Sequence, residues 1–329
     1  MKKIAGIVLA GAVALAALWH FFVVRGAAAP PAFASERAPI EPPGVQRDRE
    51  RSALRPASAR PHAPDLSAEK RARPLPAREM PLHDIMAELA DLAANGNVRA
   101  ACRLAAEMSR CRDIPKLRVQ AAELRAEGAR MAEGSAELRR NVAWQRDVTD
   151  LADAAARACA GISAADTKDA WRYLLAAAEG GHTPSMTRFV AAPPLDASNF
   201  MLDMEGWQAY WKSAPRLLEA AVGRGDPRAL YLYAVGLRGW SLTPGGGLNL
   251  PRDPERSAGA QLALIEIAND ASKPGLRRQL DTLAVEIGPA GMTRARAAAA
   301  QLLPAFPVRG EVSLQGGITF GDAVDECAQ

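Results

Sequence analysis

A short phrase occurs three times in this chain and constrains its fold more than any other feature. Its copies are Leu92-Ala93-Ala94-Asn95-Gly96-Asn97-Val98-Arg99-Ala100, Ala177-Ala178-Glu179-Gly180-Gly181-His182-Thr183-Pro184-Ser185 and Ala221-Val222-Gly223-Arg224-Gly225-Asp226-Pro227-Arg228-Ala229. Each is an Ala-rich run that stops at a glycine, meets a polar residue and restarts on small residues. Glycine just past a helix end adopts the left-handed backbone without a Cβ penalty, so Gly96, Gly181 and Gly225 mark the ends of helices. Asn97, Thr183-Pro184 and Asp226-Pro227 mark new starts. Short polar side chains accept from the orphan amides of a first turn, and proline there forfeits no hydrogen bond. The small residues Ala177, Ser185, Ala221 and Ala229 let antiparallel helices approach closely. Helical hairpins repeated at tens of residues predict an all-α, solenoid-like domain. Such domains bind other chains and carry no chemistry of their own.

The second and third copies align without a gap at an offset of 44 residues, which also pairs Tyr173 with Leu217 and Leu174 with Leu218. Leu104, Phe189 and Tyr233 then occupy equivalent helical positions in the three units. The pattern Trp171-x-Tyr173-Leu174-x-x-Ala177-Ala178-x-x-Gly181-His182 resembles the first helix and turn of a Sel1-like repeat, a relative of the tetratricopeptide repeat. Ala229-Leu230-Tyr231-Leu232-Tyr233-Ala234 and Asp253-Pro254-Glu255-Arg256-Ser257 continue the resemblance. It extends over about half of residues 84–329 and implies an adaptor or scaffold without catalytic residues. Two departures stand out: a long connection at 239–251, and 85 residues between the first two turn glycines.

The amino-terminal flank reads as a membrane anchor and a tether. Lys2-Lys3 precede an apolar run over residues 4–24, interrupted by His20 and closed by Arg25. That length is close to the ~20 residues a membrane-spanning helix needs, and Trp19, Phe21 and Phe22 sit near its end like an interfacial belt. Residues 1–25 are therefore expected to be a retained signal-anchor, with cleavage near Ala34 as the rival. Residues 26–83 follow as a disordered linker, because Pro and Arg displace any apolar period and nothing repays the entropy of ordering. Eleven of the chain's 24 prolines fall between Pro30 and Pro81. Residues 1–83 carry 13 Lys and Arg against 7 Asp and Glu; removing them from the chain totals of 41 and 37 leaves 28 and 30 in residues 84–329. The basic pI therefore belongs to the flank, and the nearly neutral remainder argues against nucleic-acid binding. With the Ala, Arg and Pro bias of a GC-rich genome, this places the chain at a bacterial inner membrane, single-pass, with its bulk in the periplasm.

Within 84–329, residues 117–138 read as one long charged helix. Val142, Trp144, Val148 and Leu151 carry the next helix towards Cys159, and residues 261–268 and 277–287 suggest another hairpin. Residues 308–320, broken at Gly316-Gly317, suggest a β-hairpin or a packed tail. The four cysteines, Cys102, Cys111, Cys159 and Cys327, lack the close paired spacing of a zinc site and fit disulfides in an oxidising compartment. Cys102 and Cys111 are expected on one helix with Cα atoms ~13 Å apart, too far to join. Of the two remaining pairings, Cys111–Cys159 with Cys102–Cys327 is preferred.

No phosphate loop, zinc-binding His-Glu-x-x-His or nucleophile elbow occurs, so no catalytic, metal or cofactor residue is assigned. Asp203, Glu205 and Glu219 keep open an alternative, a peptidoglycan enzyme or its accessory factor. Trp171, Trp207, Trp211 and Trp240 read as core wedges or as a partner-binding row of aromatics. The expected partner is an unidentified protein or peptide, with the membrane engaged through residues 4–24.

Overall fold

The polar restarts cap helices, as their chemistry requires. In the computed structural model of the chain, residues 74–196, 201, 203–239, 250–310, 312–314 and 323–327 are described. Asn97 Oδ1 accepts from the amides of Arg99 and Ala100 at 3.1 and 3.0 Å, and Asp226 Oδ1 accepts from that of Arg228 at 2.8 Å. At the middle turn the cap is His182 rather than Thr183: its Nδ1 accepts from the Ser185 amide at 3.3 Å. Thr183 is already the first helical residue there, one position too late to cap. Gly96, Gly181 and Gly225 have φ of 84, 100 and 78°. In all three turns the amide after the glycine reaches back to a carbonyl of the preceding helix: Asn97 to Leu92 at 3.0 Å, His182 to Ala177 at 3.0 Å and Asp226 to Ala221 at 3.2 Å.

The described residues are all-α. Helix α1 (Leu82–Ala94) turns into α2 (Val98–Gly128), α3 (Ala136–Ala158) returns along α2, and a single turn α4 (Ala164–Thr167) follows. Hairpins α5 (Ala170–Glu179) with α6 (Thr183–Ala191), α7 (Met204–Gly223) with α8 (Pro227–Gly236), and α9 (Pro254–Ile267) with α10 (Lys273–Leu302) come next, and α11 (Ala323–Glu326) ends the series. From α5 to α10 each helix packs on its successor, while α2 meets both α3 and α5. The long gap between the first two turns is thus filled by the far half of α2, by α3 and by α4.

Residues 117–138 are not one helix. Helix α2 continues through Pro115 to Gly128, and Ser135 Oγ caps α3 by accepting from the Leu138 amide at 3.0 Å. A strong cap at Ser135, next to Gly134 at φ 73°, prevails over uninterrupted helical periodicity. Helix α10 is itself kinked at Gly288, with φ of 65°, just before Pro289.

The largest core joins Phe189, Trp207, Tyr210, Leu217, Leu218, Leu230 and Leu264 across α6 to α9. A second surrounds Leu82, Ile85, Leu89, Leu104 and Met108. Leu104, Phe189 and Tyr233 are all buried. Arg103 holds the residues ahead of α1 by donating to the carbonyls of Pro76 and, at 2.8 Å, Ala77. Packing therefore begins ahead of residue 84. The described part of 308–320 forms a lone parallel bridge, Val312 to Ala268, over the end of α9. Among the described residues no helix is long and apolar enough to cross a membrane; residues 4–24 lie outside them.

Cys102 and Cys111 both lie in α2, which rules out their pairing. The disulfides are Cys111–Cys159 and Cys102–Cys327, each with Cα atoms 5.5 Å apart. The first ties the end of α3 to α2, and the second ties the carboxy-terminal turn to the start of α2.

Candidate functional site

Small residues in the turns let successive hairpins touch. A Cβ on Gly180 would collide with Val98 at the start of α2. Arg224, in the third turn, donates to the carbonyl of Gly181 in the second. Thr187 Oγ1 donates to Asp226 Oδ2 at 2.7 Å, linking α6 to the cap of α8. Gly225 in turn lies so close to the carbonyl of Ala305 that no side chain fits between them. The starts of α2, α6 and α8 are thereby neighbours, and three helix N-termini side by side favour negative charge.

The carboxy-terminal turn α11 brings that charge. The buried carboxylate of Glu326 accepts from Arg188 Nε and Nη2 at 3.1 and 2.8 Å, and from Arg228 Nη1 at 2.6 Å. Burial lowers the pKa of Arg228, but the carboxylates of Asp226 and Glu326 outweigh it and hold the guanidinium above its ordinary value. Asp325 pairs with Arg78. Val324 and Cys327 pack among Ala101, Cys102, Ala106 and Ala177. His182 is 8% exposed; its Nδ1 is used as the cap of α6, while its Nε2 has no hydrogen-bond partner among the described residues. Burial, followed by the charge of Arg99, pushes its pKa below the ordinary histidine value against the opposing pull of Glu326. A cavity of about 270 Å³ adjoins this turn, with Cys102, Cys327, Ala323, Arg112, Lys116 and Arg188 in its wall.

Of the four candidate aromatics, two face the core instead of presenting a surface to a partner. Trp171 and Trp207 are 7% and 1% exposed. Trp207 meets Tyr210 edge-on at 5.7 Å, and Trp211 is half-buried beside it. Their helical spacing turns them inward, where wedge-shaped side chains fill the gaps between crossing helices; Trp240 lies outside the described residues. Among the described residues Trp144, on α3, is the exposed tryptophan, at 54%. Of the candidate acids, Glu205 pairs with Arg172 at 2.6 Å and Glu219 with Arg256 at 3.5 Å, both largely in solvent. Asp203 Oδ2 accepts from the Asp196 amide at 2.7 Å. Among the described residues no cluster of His, Cys, Asp or Glu is arranged to hold a metal ion.

Sequence reasoning missed Arg188, Arg228 and Glu326. They occupy unrelated positions in their units, so no alignment of the turns pairs them. The one available signal is the acidic stretch Asp325-Glu326 beside a cysteine. No protein-family model, curated protein or solved structure matches this chain.

Proposed function

We propose that this chain is a membrane-anchored adaptor: a Sel1-like stack of helical hairpins, held outside the bacterial cytoplasm on a Pro-rich tether, that grips another protein and performs no chemistry. The observation that carries this reading is the contact between successive turns, Val98 against Gly180, Arg224 on Gly181, and Thr187 on Asp226. Hairpins joined in this way make a stiff, extended surface suited to a partner helix or an extended segment. Two disulfides fit an oxidising compartment, and the apolar run at 4–24 fits the anchor.

The test is to express the full chain in a bacterium with an affinity tag inside the linker, crosslink intact cells and quantify what is recovered. One protein near a one-to-one ratio is the expected result. Peptidoglycan fragments in place of a protein would replace the adaptor reading with a wall-directed one.

A further inference from the structure

The turn α11 is too short to hold itself in place, because an isolated helical turn is unstable in water. It stays because the groove between α2, α5, α6 and α8, together with Arg78 ahead of α1, supplies four things. Ala101 and Ala177 make a shallow apolar seat for Val324. Arg188 and Arg228, from two different helices, converge on Glu326. Arg78 takes Asp325, and Cys102 takes Cys327 covalently. A buried carboxylate met by two guanidinium groups is costly to form unless the geometry is well defined, as it is here by Arg188 in the last turn of α6 and Arg228 in the first turn of α8. The Nε2 of His182, without a partner among the described residues, adds one more polar group at the same place.

We propose that residues 323–327 are an internal ligand: the groove is a docking site for a protein segment bearing an apolar residue followed two positions later by a carboxylate, and Cys102–Cys327 is the latch that keeps the chain's own copy seated. This deepens the adaptor reading and rests on it. The latch raises the local concentration of the strap, so a free segment competes only once the bond is open. Opening is thiol–disulfide exchange with a dithiol. One thiolate attacks a sulfur of the bond and forms a mixed disulfide, and the second thiolate resolves it. Cys102 and Cys327 leave as two thiols and the dithiol becomes its disulfide, a two-electron exchange. The cavity bordered by both cysteines gives a small dithiol a way in, and its Arg112 and Lys116 favour the thiolate form of the attacker.

The experiment titrates a fluorescent peptide of residues 321–327, with serine in place of Cys327, into the full-length chain and follows anisotropy. Oxidised wild type is expected to leave the peptide free, while Cys102→Ser/Cys327→Ser binds it saturably. Adding Arg188→Ala or Arg228→Ala should weaken that binding tenfold or more, and a peptide with Gln at the Glu326 position should lose it similarly. In the chain with its disulfide intact, Glu326→Gln should speed amide exchange at 323–327 at least tenfold. Failure of the double-serine chain to bind the peptide overturns the proposal, as does equal binding by the oxidised chain. So does loss of cooperative unfolding in that variant, since a ligand leaves its site without collapsing the fold. Unchanged exchange in Glu326→Gln counts against it as well. A crosslinked partner whose capture is indifferent to Arg188 and Arg228 would remove this proposal and leave the adaptor reading standing.

Discussion

The hairpins from α5 to α9 and the arm made by α3 with the far half of α2 use similar Ala- and Arg-rich amphipathic helices, yet they are held very differently. In the first region a helix has neighbours on both sides, and Phe189, Leu218, Leu230 and Leu264 are all fully buried. In the arm two helices have chiefly each other, and Ala121, Leu124 and Val148 form a small core with Leu117 at its edge. Val119, Val142, Trp144 and Leu151 on the same arm are each more than half exposed. The disulfide Cys111–Cys159 clamps its base, where it joins the core of α1 and α2. Stability in the first region comes from layered burial; in the arm it comes from a crosslink and one narrow seam.

The sharpest way to break this contrast is in the cores. Phe189→Ala should cost about 3–5 kcal/mol and lower the denaturation midpoint of the whole unit. Val148→Ala should cost about 1–2 kcal/mol, and hydrogen exchange should locate the loss in the arm. Equal, global effects would show that the arm unfolds with the rest. A second comparison sets two turn glycines against each other. Gly225→Ala meets both a left-handed backbone and the Ala305 carbonyl, so about 2–4 kcal/mol should be lost in chemical denaturation. Gly96→Ala, with open space around it, should lose only about 1 kcal/mol.

His182 supplies a smaller, pH-dependent effect. Because its folded pKa lies below the ordinary value of 6.5, the unfolded chain binds the proton more readily than the folded one. Its contribution is full above about pH 6.5 and is lost as pH falls towards the folded pKa, by at most about 1.4 kcal/mol per pH unit. Urea midpoints measured down to about pH 5 should show this slope in wild type and a shallower one in His182→Asn, which keeps a capping side chain but cannot titrate. Least of all, Trp144→Ser should change stability by no more than about 0.5 kcal/mol, since more than half of the side chain already faces solvent. A larger loss in a thermal melt would mean that the arm's outer face is covered after all.

Much of the layout is legible in the sequence. Turn chemistry is local: Gly96, Gly181 and Gly225, with the polar residues after them, specify where helices end and begin through backbone sterics and orphan amides alone. Local geometry also eliminated the Cys102–Cys111 pairing, because a shared helix sets that distance. The single helix expected across 117–138 is two helices for the same kind of reason, since the local cap at Ser135 outweighs a helical periodicity that runs on through it.

What the sequence by itself determined, then, is the all-α class, the three capped turns and the pairing that an α-helix forbids. Tertiary structure alone decided which apolar side chains are buried. Trp144 and Trp207 both sit in amphipathic helices, but burial depends on a second helix being present on the outer side. Tertiary structure alone also brought Glu326 to Arg188 and Arg228. Those residues are 138 and 98 positions away along the chain, and no local interaction encodes a contact made only when the stacked helix starts and the latched carboxy terminus meet.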